Sequence, residues 1–356
     1  MDSIVLNLIF SFLICCSFLE VFCYEYYKRY KNAIYFFCIF TLGLCAGIRE
    51  NTYDYNAYVM LFQQTPDIFT MLSSGDFSYI MDVREEPGYI LLNSFVKCFT
   101  DEPEVLFCVV SFSSLLLYGL SIRKYTKYTM LSILLYFSMI YLVKEMVQIR
   151  RGLAMAIFIY SFRYVLANEF KKFLLFILLA SCFHESIVFS ILVYPLRHIH
   201  MNYAFGFFMI FCYIILYFLN IVDNFLFPLS EGFEYYARLT SYLNSDFLAM
   251  ADLKRFAEYS ALFFILLLLG KQIREKYKYY NFMMIILSTG LLVTAMWSAY
   301  PFFADGLSAP MWISLIFLLP AMLDASNNIA YKYLMAIIII LISLKSFLGN
   351  MVMVIN

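Results

Sequence analysis

Charge is what this chain has least of. Asp, Glu, Lys and Arg make up 14% of its 356 residues, where a soluble domain carries about a quarter. That deficit excludes water as the main solvent. The 63% hydrophobic content and the mean hydropathy of +0.79 point to a bilayer. A net charge is absent as well, with 25 basic residues against 25 acidic ones, so nothing recruits nucleic acid or another polyanion. There is no internal repeat, glycine-rich phosphate loop or low-complexity tail. Neither long polar loop holds a cysteine, and no C-x-x-C pair exists. The nine cysteines, from Cys15 to Cys212, fall in or beside apolar segments and read as small buried hydrophobes rather than a disulfide framework. The N-terminus has no basic stretch before its first apolar run, which predicts a retained first helix rather than a cleaved signal peptide.

What is present is apolar and aromatic. The 31 tyrosines and 39 phenylalanines include many at the ends of apolar runs, where an amphipathic ring suits the headgroup layer. Crossing a hydrocarbon core takes about 20 helical residues. Eleven runs approach that length: 4–24, 33–48, 105–122, 128–147, 152–167, 173–195, 203–221, 256–270, 282–299, 310–323 and 331–347. Residues 88–99 are too short to cross and read as a re-entrant or interfacial helix. The expectation is a single all-α integral membrane domain over 1–356, a polytopic bundle of about eleven spans.

Charge distribution sets the topology. Basic connections belong in the cytoplasm, and four fit: Lys28, Arg29 and Lys31; Arg123, Lys124 and Lys127; Lys171 and Lys172; and Lys271, Arg274, Lys276 and Lys278. Residues 49–86 carry seven acidic and two basic side chains, and 223–255 carry five and three, so both are assigned to the outer face. Span parity works through Lys172 if 88–99 does not cross. It then fails once, because Arg197, His198 and His200 also resemble an inner loop, and a break of 173–195 near His184 restores it. Tyr55, Tyr58, Val59 and Phe62 follow helical spacing beside Asp54, predicting an amphipathic helix on the outer surface.

Five polar groupings stand out, each with a plainer alternative. Arg49, followed by Asp54 and Tyr58, suits a substrate anion or snorkels to headgroups. Glu85 and Glu86 precede Pro87, where carboxylates also cap a helix. Lys144, Gln148 and Arg151 are spaced for one helical face, with Arg150 adjacent. This basic group outside runs against the positive-inside rule, and paired guanidiniums suit phosphate or pyrophosphate. The alternative is a structural ion pair with Glu145. His184 and Glu185 lie mid-run, where an ionisable side chain needs a partner or a cavity. His184 is then either a general base or a core histidine bonded to Ser181. Metal ligation is not expected, since only three histidines exist and two fall in the inner loop. Arg238, among aromatics in the second outer loop, fits sugar or phosphate contact, or a surface cation–π pair.

These residues resemble the EpsG family of Wzy-type oligosaccharide repeat-unit polymerases over most of the chain. The carriers are Arg49 with Asp54-Tyr55 and Tyr58; Glu86-Pro87-Gly88-Tyr89 with Leu91-Leu92-Asn93; Ile149-Arg150 with Ala154 and Ile157; and Lys171-Lys172 leading to Phe183-His184 with Ser186. Arg151 replaces a usual Gln, and Gly306 stands where relatives often have Arg, so that second role does not transfer. The resemblance implies a metal- and cofactor-independent glycosyltransferase, multi-pass in the bacterial inner membrane, with its active site facing the periplasm or exterior. It would act on undecaprenyl-pyrophosphate-linked oligosaccharide, with a chain-length regulator as protein partner. His184, Asp54 or Glu86 would deprotonate the acceptor. Arg49, Arg150 and Arg151, with Gln148, Tyr58 and Arg238, would hold the substrate. A lipid-linked oligosaccharide flippase and an O-antigen ligase or acyltransferase are the competing readings.

Overall fold

A backbone placed in hydrocarbon has no water to satisfy its N–H and C=O groups, so every polar group must be paired within the segment. The computed structural model obeys this. It describes residues 3–50, 52–75, 79, 85–219, 246–298 and 300–355, which among themselves are helices and short connections without strands. Arg238 and residues 223–245 of the second predicted outer loop lie outside the described residues, as do 51, 76–78 and 80–84 of the first.

The chain forms two compact units: Met1–Val188 with Asn328–Asn356, and Phe189–Asn327. In the first unit, α1 (Ser3–Phe22) meets α2 (Tyr24–Gly47) at Cys23 alone. The basic residues 28–31, expected as a loop, continue α2, with Lys28 paired to Glu25 one turn earlier and charged tips in solvent. Next come α3 (Tyr55–Gln64), α4 (Ile68–Ser74), α5 (Pro87–Lys97) and α6 (Pro103–Tyr125). The predicted amphipathic helix is α3, with Tyr58 and Phe62 buried. The short helix is α5, begun by Pro87 at its first turn.

Two helices that follow are irregular. The helix α7 (Thr129–Lys144) widens to π geometry over Phe137–Tyr141, and both Glu145 and Met146 donate backbone N–H to the Tyr141 carbonyl. Such bulges concentrate at functional sites. After α8 (Ile149–Leu166), α9 (Phe170–Ser181) stops, and α10 (Glu185–Leu196) resumes as a 3-10 helix. The run 173–195 is therefore broken at His184. No proline causes this. The Cys182 carbonyl freed at the break accepts the Gly88 N–H of α5 at 2.8 Å, so a neighbour satisfies it.

Within this unit α2 packs on α6, α6 on α8 and α8 on α9, while α1 and α17 (Ile329–Ile355) pack against α7. Hydroxyl-to-carbonyl bonds tie the helices at depth: Tyr35 to Gly119 at 2.6 Å, Ser111 to Gly43 at 2.8 Å and Tyr141 to Leu42 at 2.7 Å. Glu20 is buried in α1 and accepts from Thr129 Oγ1, Met130 N and Leu131 N at 3.0, 3.0 and 3.1 Å, so its carboxylate caps α7.

The second unit holds α11 (Tyr203–Leu219), α12 (Asp246–Leu268), α13 (Gly270–Lys276), α14 (Tyr280–Met296), α15 (Pro301–Trp312) and α16 (Leu315–Ala321). The segments Leu253–Leu268 and Gly270–Lys276 bend by 69°, and Phe303–Trp312 and Leu315–Asp324 by 43°. Among the described residues, four helices (α1, α2, α6 and α17) are long and apolar enough to cross a membrane unaided, and up to six spans result if each bent pair counts once. The remaining predicted runs correspond to α7, α8, α9–α10, α11 and α14, which are shorter, broken or, in α8, carry three arginines. The chain is an all-α, multi-pass membrane protein.

Candidate functional site

The first unit gathers its polar side chains where α2, α7 and α9 end and α3, α5 and α8 begin. Arg49, just past α2, is 1% exposed. Its guanidinium lies 4.2 Å from the Phe107 ring centre, and Nη1 donates to the Ala46 carbonyl at 2.7 Å. Its Nε and Nη2 are buried without a hydrogen-bond partner among the described residues. It faces inward instead of snorkelling. Burial lowers its pKa, but a guanidinium stays protonated.

Arg150 stands at the first turn of α8. It pairs with Glu85 and, at 2.5 Å, with Glu86, between the rings of Tyr58 (5.7 Å) and Tyr89 (5.8 Å). The helix-capping reading of Glu86 fails, because its side chain makes no cap bond and goes to Arg150. Burial raises the Glu86 carboxyl, opposed by backbone N–H groups and by Arg151. Asp54, at the start of α3, is likewise raised by burial, with Arg150 and Arg49 pulling it back. Tyr58 is raised by burial against the pull of Arg150.

Lys144, Gln148 and Arg151 do converge, though not along one continuous helix. The chain leaves α7 at Lys144 and restarts at Ile149, and the Gln148 amide oxygen accepts from Lys144 Nζ at 2.7 Å and from Arg151 Nη1 at 3.1 Å. The alternative of an ion pair with Glu145 is not realised. That carboxylate is buried near Ser114 and Tyr136, with neither oxygen in hydrogen-bond geometry.

His184 occupies the break between α9 and α10, outside both helices. Arg151 Nε donates to its Nε2 at 3.2 Å, and its Nδ1 lies 2.9 Å from Ser186 Oγ. An acceptor Nε2 places the ring proton on Nδ1, directed at Ser186 Oγ, whereas the longer 3.4 Å donation from Ser186 N–H to Nδ1 suits the other tautomer. Its expected partner Ser181 instead donates to the Leu178 carbonyl. Burial first, then Arg151, Arg150 and Lys144, push its pKa down to about 3. The imidazole is neutral at physiological pH, and its basic nitrogen touches a cation.

Arg49, Asp54, Tyr58, Glu86, Gln148, Arg150, Arg151 and His184 thus share one site. Sequence reasoning missed Phe107 beneath Arg49 and the Cys182 carbonyl that anchors α5, neither of which carries a polar signature. It also passed over Glu20, detectable as the one acidic residue between Ile4 and Phe22. Among the described residues, no three His, Cys, Asp or Glu side chains come together as metal ligands.

No curated protein and no solved structure matches the chain. A family model does, over residues 32–354, which includes all of these site residues. The matched range spans every segment the fold brings together here, and the chain belongs to the EpsG family, whose members are Wzy-like polymerases.

Proposed function

We propose that this protein polymerises polyprenyl-pyrophosphate-linked oligosaccharide repeat units at the outer face of the bacterial inner membrane, building O-antigen, capsule or exopolysaccharide. The observation that carries the proposal is the 3.2 Å contact between Arg151 Nε and His184 Nε2. A carrier needs cations for its anionic cargo. It has no use for a base seated on one of them.

The reaction has two demands. An acceptor hydroxyl must lose its proton as its oxygen bonds to the donor's anomeric carbon, and the pyrophosphate must leave with the electron pair of the broken C–O bond. Pyrophosphate bound at Arg49, Arg150 and Arg151 would compete with the carboxylates for Arg150 and draw Arg151 from the imidazole. Its negative charge would offset the cations that depress His184. Nε2 then takes the hydroxyl proton, with Ser186 holding Nδ1–H and fixing the ring. Tyr58 and Tyr89 flank Arg150, Gln148 holds Lys144 and Arg151 together, and Asp54 and Glu86 are the alternative bases.

The test is the glycan profile of strains carrying Arg150→Gln or His184→Gln at normal protein levels. The expected result is accumulation of single repeat units. Full-length polysaccharide in both strains would overturn the proposal. Long unattached chains would assign a ligase, and units held at the inner face a flippase.

A further inference from the structure

A second set of uncommitted polar groups lies in the other unit, at the bend between α12 and α13. Leu269 joins the two helices, and Gly270 permits the tight approach there, since a Cβ would come 2.4 Å from the Tyr280 hydroxyl. Arg274 donates to the Met201 carbonyl and has its guanidinium 5.4 Å from the Tyr280 ring centre. Asn281 fixes the segment before α11 by donating to the Ile199 carbonyl and accepting from Met201 N, both at 2.7 Å. Between these supports is a cavity of about 410 Å³, lined by Asn202, Tyr203, Lys271, Arg274, Glu275 and Tyr280 among others. That volume is in the range of small-ligand sites.

The lining has one positive charge in excess. Lys271 makes no hydrogen bond or ion pair among the described residues. Arg274 spends one nitrogen on Met201 and keeps further N–H donors. The cavity is lined by Tyr203 at the start of α11 and Leu267 near the end of α12, and along these two helices Phe207, Phe208, Phe211, Phe264 and Leu268 are exposed, giving both an apolar face. Phe207 and Phe264 approach to 5.7 Å across the two helices, and the Tyr203 hydroxyl reaches the Leu268 carbonyl at 3.3 Å. The positive-inside rule assigns this end, with Lys271, Arg274, Lys276 and Lys278, to the cytoplasm.

A cationic cavity where two helices with exposed apolar faces meet has the complementarity of an amphiphile with an anionic head. We propose that this cavity binds an anionic phospholipid of the inner leaflet, its phosphodiester on Lys271 and Arg274 and its acyl chains along the exposed faces of α11 and α12. A free phosphate shares the head chemistry but cannot use the apolar faces. The proposal is independent of the catalytic reading, because none of its residues belongs to the Arg150–His184 site.

Native mass spectrometry of the full-length protein tests it, in mixed micelles holding equal phosphatidylglycerol and phosphatidylcholine with matched acyl chains. Phosphatidylglycerol should be retained preferentially. A juxtamembrane cation contributes enough that Lys271→Gln should weaken its retention about fivefold. Glu275→Gln should strengthen it, which keeps the test decisive if either variant folds poorly. Equal retention of both lipids, or no response to either substitution, would overturn the proposal. Displacement of the bound phosphatidylglycerol by 10 mM inorganic phosphate would mark a free-anion site and overturn the lipid assignment.

Discussion

His184→Gln removes a titrating group whose folded and unfolded states differ in protonation below neutral pH. The folded imidazole is held down to about 3, whereas in the unfolded chain it returns to about 6.5. The unfolded state therefore takes up a proton first as pH falls. Stability present above pH 6.5 is lost on the way down, and between pH 8 and pH 5 this single group costs about 2 kcal/mol. Asp54 and Glu86 act in the opposite direction. Their raised pKa values let the folded state take up protons first, so acidification through their range favours the fold. The total pH slope consequently mixes both signs, and the informative quantity is the difference between wild type and His184→Gln. In mixed micelles, denaturant unfolding at pH 8 and pH 5 should show the variant losing about 2 kcal/mol less than wild type over that interval. Equal slopes would refute the buried, cation-flanked imidazole. So would an ¹⁵N-histidine resonance that titrates near pH 6.5 in a background with His198 and His200 replaced by Gln.

Other expectations concern charge, capping and spacing. Arg151→Gln should move that ¹⁵N titration of His184 upward and, if the proposed function holds, impair polymerisation, since one side chain both depresses the imidazole and would bind the pyrophosphate. Replacing Glu20 with Ala leaves two backbone N–H groups of α7 unpaired and Thr129 with only the Tyr27 hydroxyl as partner, at a cost of about 3 kcal/mol in unfolding experiments, whereas Glu20→Gln keeps an acceptor and should cost about 1 kcal/mol. Gly88→Ala introduces a Cβ 2.7 Å from the Cys182 carbonyl oxygen. Glycan chains should shorten in that strain with little loss of protein, because the displaced segment is the break that carries His184.

The sequence alone determined the solvent, the helices and the chemical types at the site. Those follow from local quantities. Scarce charge rules out a water-solvated chain, apolar run length marks helices, and an arginine or histidine inside such a run is costly unless it has a function. The break at His184 was also legible, because span parity and a polar pair in mid-run both required it. Bond-level partners were not. Glu86 looked like a cap and bonds Arg150; Ser181 looked like the histidine's partner, and Ser186 is. Lys144 and Arg151 appeared aligned along a helix, yet they meet through the Gln148 amide across a chain that has left helical geometry. Spacing along one element reports which residues share a face, while these contacts join segments up to 65 positions apart. Only tertiary packing decides which carboxylate reaches which guanidinium. It also decides that Arg151 sits on the imidazole, where one bound anion can govern both.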